Sequence, residues 1–149
     1  VGKSYAELKL LFGDDRIYLA KALSKPEVAG MARGYARQIA ATMKNRPRDS
    51  AQTWVDSANA LGATVHKMAD DDESKGKSIG YYCWRTRRII YDPDWDEWTI
   101  CHTLCHELTH HLICHSGSGS IRGGIERFDD NRETLQHRIA RLVEEIMLG

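Results

Sequence analysis

Apolar residues recur at helical spacing through most of the chain, and the period changes only between Gly62 and Asp92. From Ser4 to Leu23 apolar and charged residues alternate at helical spacing, interrupted by Gly13-Asp14-Asp15. Pro26, shortly after Ser24, is a helix-start signal. The run PEVAGMARGYARQIAATMKN then reads as a helix with Val28, Met31, Tyr35, Ile39 and Met43 near one face. Pro47 ends it. Ser50 reads as the N-cap of a third helix and Gly62 as its C-terminal stop.

Beyond Gly62, ATVHKM is short and rich in strand formers, and Asp70 to Lys77 reads as a charged loop. SIGYYCW and RRIIYD, separated by Arg85-Thr86, read as a strand pair that Asp92-Pro93 terminates. Trp98 to His115 is apolar and His-rich and reads as a helix. Ser116 to Gly124 reads as a flexible connector. Asn131 to Leu148 reads as a final helix with Leu135, Ile139, Leu142, Val143 and Ile146 on one stripe. Three helices, a small sheet and two helices make an α+β fold without internal repeats. Residues 1–149 form one domain, with 1–25 as a candidate N-terminal helical extension.

A chain of 149 residues can sustain a core without staples. Its formal charge is zero, so no chain-wide field draws it to nucleic acid or membrane. The charge is unevenly placed. Residues 1–48 hold ten Lys and Arg against four Asp and Glu, a net of +6; the rest hold eleven against seventeen, a net of −6. Solvated helix faces account for such runs in the ordinary case. A basic N-terminal third also leaves open an acidic partner or a nucleic acid. Cys101, Cys105 and Cys114 fall on one expected helix, poor geometry for a disulfide network, and Cys83 stands apart. With no leader-like segment and no run of eighteen apolar residues, a reduced, cytoplasmic setting is expected.

The chemistry concentrates in His106-Glu107-Leu108-Thr109-His110, an H-E-x-x-H motif. On a helix, positions i and i+4 lie one above the other, so both imidazoles reach one ion. Zinc takes neutral imidazole well and keeps a position open in catalytic sites, so one Zn2+ per chain is expected; Mn2+ or another divalent ion is the alternative. Glu107 is placed to act as general base toward the attacking water. A third ligand is needed, and Glu126, Asp129, Asp130, Glu133, His137 and Glu144 are candidates. Glu133 opens the last helix and shares a face with His137, Ala140 and Glu144, although a first-turn acid also complements the helix dipole. His102, one turn before His106, is a packing residue, an outer partner or an alternative ligand. Cys101 and Cys105 lack the spacing of structural zinc sites and read as core. His111 and His115 read as surface residues. Trp95 and Trp98 read as capping the helix entrance. Tyr81, Tyr82, Tyr91 and His137 are transition-state stabilisers by chemistry alone.

On these motifs the chain resembles the ImmA/IrrE family of zinc metallopeptidases. A strand ending RRIIYD is followed by a helix of the form T-L-x-H-E-L-x-H, here Thr103 to His110. A later helix matches E-x-x-A-N-x-F-A as Glu133, Thr134, Leu135, Gln136, His137, Arg138, Ile139 and Ala140, and SANALGATVHKM matches the upstream helix-then-strand pattern. The resemblance spans roughly residues 27–148. Thr109 stands where the family usually has Gly, Cys105 where it has Ala, His102 for a common aromatic, and Gln136-His137 for Ala-Asn. The resemblance implies a zincin-like fold, Glu133 as third ligand, and cleavage of a helix-turn-helix repressor in a stress or mobile-element response.

Three functions follow as expectations: a site-specific zinc endopeptidase, a non-catalytic partner-binding module on a peptidase fold, and a structural zinc site joining two helices.

Overall fold

The structure, a computed structural model, describes residues 25–115 and 129–149, without the side chains of Lys25, Glu27 and residues 129–135. The expected helix over 4–23 and connector over 116–124 lie outside the described residues. Among the described residues, four helices and three strands run in the order α1 (Lys25–Met43), α2 (Ala51–Ala60), β1 (Thr64–Lys67), β2 (Gly80–Cys83), β3 (Arg88–Tyr91), α3 (Glu97–His115) and α4 (Asp129–Leu148). The architecture is α+β, as the periodicity predicts.

Helix α1 buries Val28, Ala32, Tyr35, Ala36, Ile39 and Met43, a stripe at three- and four-residue spacing. Met31, expected on that face, is only half-buried. Helix α2 starts after Ser50, whose backbone is extended but whose hydroxyl makes no capping bond. Its first amide is served instead from outside, since Ala51 N–H donates to the Glu97 carboxylate at 2.9 Å. The predicted stop at Gly62 has a definite form. With φ of 91°, Gly62 donates to Asn59 O and Ala63 to Ala58 O, the paired bonds of a Schellman cap.

The sheet order is β1-β3-β2, with β1 parallel and β2 antiparallel to the central β3. The β2–β3 connection is the four-residue Trp84–Arg87 rather than the two residues expected, and Arg87 takes the left-handed backbone at φ 54°. Gly80 allows β2 to lie against α3. A Cβ there would stand 2.6 Å from Thr103 Cγ2 and 2.9 Å from Ile90 O.

Helix α3 begins one residue earlier than the apolar run suggests, because Asp96 caps it by accepting from Thr99 N–H at 2.8 Å. Leu104, Cys105, Glu107, Leu108, Thr109, His110, His111, Leu112 and Ile113 are all buried, so its second half runs through the centre of the molecule. The opening Trp95 and Trp98 are about half exposed. Helix α4 lies across α3 and α1. Its buried face is Gln136, Ile139, Ala140, Val143 and Met147, while Ile146, expected inside, is 45 % exposed. The stripe is rotated toward the polar side, which turns Gln136, His137 and Glu144 toward α3.

Candidate metal centre

Two helices build the site. Helical rise places His106 and His110 on one face of α3, their ring centroids 4.8 Å apart. From α4, His137 brings its ring to 5.2 Å from that of His106 and 5.3 Å from that of His110. His106 Nε2 lies 3.2 Å from His110 Nε2 and 3.2 Å from His137 Nδ1. Among the described residues, these three form a group able to hold a metal ion, with ligand atoms all within 4.8 Å of one another.

The far sides of the rings decide what the near sides present. His106 Nδ1 is 2.9 Å from Glu144 Oε2, and His110 Nδ1 is 2.5 Å from Gln136 Oε1. A carboxylate and an amide oxygen only accept, so each Nδ1 carries the proton. With Nδ1 committed outward, the Nε2 atoms of His106 and His110 face each other at 3.2 Å. Around a tetrahedral zinc with bonds of about 2.0–2.1 Å, ligand nitrogens stand ~3.3 Å apart, close to the two 3.2 Å separations here. The residues fit a metal ion.

Glu144 is half-buried between the helices, its side chain 18 % exposed. Its second oxygen accepts from His102 Nδ1 at 3.0 Å. Burial alone would raise the Glu144 carboxyl, but the hydrogen bonds from His106 and then His102 outweigh it and hold the group below its ordinary range. Glu107 is 9 % exposed and borders an open cleft of about 290 Å³. Ile79, Gly80, His102, Thr103, His106 and Glu144 line the same cleft. Trp98 meets His102 edge-on, with ring centroids 5.0 Å apart.

The structure therefore brings His106, His110 and His137 together, sets Glu107 beside His106 on the cleft, and places His102 on Glu144. Glu133 stands on α4 one turn before His137, and its side chain lies outside the described residues. The same holds for Asp129 and Asp130, and Glu126 lies wholly outside them. His137, offered by the sequence as ligand, outer partner or stabiliser, stands in the group that could hold a metal ion. His111 is corrected outright: it is 2 % exposed, donates from Nε2 to Leu61 O and accepts at Nδ1 from the Tyr82 hydroxyl, both at 2.7 Å. Burial pushes its pKa down, as befits a structural neutral imidazole tying α2 and β2 to α3. Its neighbour His115 is half-buried, beside the His111 ring. Tyr82 is thereby committed to His111, and Tyr81 donates to Asp72. Cys101 and Cys105 are buried, and all four cysteines are free thiols. Gln136 was missed. It registers in the sequence only as a departure from the family pattern, where a polar residue beside an apolar stripe is the available signal.

No family model, curated protein or solved structure matches the chain. No described helix is long and apolar enough to cross a membrane.

Proposed function

We propose that this protein is a zinc-dependent peptidase of zincin-like fold, akin to the ImmA/IrrE enzymes it resembles, with His106, His110 and His137 holding the metal and Glu107 as general base. One observation carries the reading: three imidazoles from two helices converge while Glu144 and Gln136 commit the far nitrogens of two of them. Ring nitrogens gathered at this separation suit a cation. Zinc, when bound, supplies a Lewis acid that lowers the pKa of water to about 7 and polarises a carbonyl.

Glu107 follows directly on His106 and borders the cleft. There it takes the proton of the attacking water and returns it to the leaving amine nitrogen. Ile79 and Gly80 line the same cleft at the start of β2, an edge strand among the described residues. An extended peptide can lie along such an edge through main-chain hydrogen bonds. A helix-turn-helix repressor as substrate, in a cytoplasmic stress or mobile-element response, is what the resemblance implies.

The test is metal content by mass spectrometry, followed by hydrolysis of a fluorescence-quenched peptide library. Wild type should carry about one zinc per chain, His106→Ala none, and Glu107→Gln the wild-type amount with cleavage abolished. A wild-type chain that stays empty after reconstitution with zinc sinks the metal reading. A Glu107→Gln variant that still cleaves sinks the base, and a loaded wild type that cleaves nothing leaves a structural zinc or a binding module.

A further inference from the structure

The metal reading above, on which this inference rests, leaves a half-buried carboxylate without a role. We propose that Glu144 is the positioning residue of the centre, clamped between His102 and His106 so that His106 is held with its Nε2 toward the ion.

The argument begins with the two sides of the clamp. His102 and His106 stand one turn apart on α3, and both direct Nδ1 at the same carboxylate, at 3.0 and 2.9 Å. Each Glu144 oxygen takes one ring. Nothing on α3 itself could do this, because the acceptor must face the helix from outside, and α4 supplies it seven residues beyond His137. A ligand and the residue that orients another ligand are thus two turns apart on one helix face. The geometry sets a tautomer. With its Nδ1 proton given to Glu144, His106 can offer a metal only Nε2, the atom 3.2 Å from the nitrogens of His110 and His137. Without Glu144 the ring could turn about χ2, which puts Cε1–H where Nε2 stood, or exchange tautomers, which aims an N–H at the ion.

His102 has the complementary task. A carboxylate so close to a metal centre is a competent ligand, and it would enter the coordination sphere if it swung free. The second bond, to His102 Nδ1, holds the other oxygen away. His102 is itself steadied by the edge of Trp98. His102 therefore acts through Glu144, and Glu144 through His106. An outer partner of this kind commonly carries a 10–100-fold effect on metal affinity.

The experiment uses the whole chain and two readouts. In the metal-free protein, 15N shifts of the histidine side chains report the His106 tautomer. Wild type and Glu144→Gln, which retains an oxygen able to accept from His106, should show the Nδ1–H form; Glu144→Ala should show a mixture or the Nε2–H form. In the metal-bound protein, Glu144→Ala should weaken zinc about 10–100-fold in chelator competition. It should also shift the visible bands of the cobalt-substituted site, with Glu144→Gln closer to wild type. His102→Ala should preserve the tautomer but alter the cobalt bands as the carboxylate is released. An Nδ1–H tautomer unchanged in Glu144→Ala, or zinc affinity within twofold of wild type, overturns the proposal. If wild type binds no metal, the function above fails, and the tautomer measurement still decides the role of Glu144.

Discussion

His106, Glu107 and His110 could be read from five consecutive residues because helical geometry alone aligns positions i and i+4. The third ligand could not. It lies across a sequence gap on another helix, and Glu133, His137, Ala140 and Glu144 share one face of that helix, so periodicity selects a face rather than a residue. Across the helix pair His137 Nδ1 lies 3.2 Å from His106 Nε2, which puts His137 in the cluster that could hold an ion. Replacing His137 by Ala should therefore cost more zinc affinity than the about 10–100-fold expected for an outer partner. Glu133→Ala, measured beside it by chelator competition, is the informative control. Whichever change empties the site names the third ligand, and the three converging imidazoles make His137 the expected one.

At the scale of elements, the clearest sequence signals were caps and breakers. Gly62 closes α2 and Asp92 follows the end of β3 because each satisfies backbone groups locally. The face of α4 was less legible, since Gln136 belongs to its buried side and Ile146 does not; polar contacts across a helix pair leave no apolar period. The meeting of β2 and α3 was not legible at all, because it depends on a missing side chain. Gly80→Ala would set a methyl against Thr103 and the Ile90 carbonyl, and overpacking of this sort costs about 1–3 kcal/mol. Thermal unfolding should register that loss, and peptide hydrolysis should fall further than stability does, because the displaced strand borders the cleft. The loop leading into β2 has its own anchor. Lys75 bonds Asp92 and Asp94, each at 2.8 Å, and the Lys75 bond, followed by the Asp94 amide, holds the Asp92 carboxyl below its ordinary 3.8. A depressed carboxyl stabilises the fold at pH above its unfolded value and loses that contribution as pH falls through its folded value. Asp92→Asn should then be less stable than wild type at neutral pH, the gap closing below pH 3.8 in denaturant titrations.

For the molecule as a whole, the question is how much of the fold the metal holds together. The apolar contacts between α3 and α4 do not need it: Ile139, Val143 and Met147 are buried in a core that also includes Leu104, Leu108, Ile39 and Trp54. Small zinc domains unfold when stripped because the ion replaces a core they lack. Here the core is present, so the chelated protein should keep its helical far-UV signal and still unfold in one cooperative step. Zinc should then act as a ligand of the folded state. Free metal at a hundred times its dissociation constant adds about 2.7 kcal/mol, which for a chain of this size raises the melting temperature by about 5–10 °C. Because the ion joins the two helices, hydrogen exchange around His137 should slow on loading more than exchange in α1, which carries none of the three histidines. Melting curves across a zinc series, with and without chelator, check the first expectation, and amide exchange checks the second. A metal-free chain that loses its helices would show instead that the ion organises the fold, moving the balance from an open catalytic centre toward a structural one.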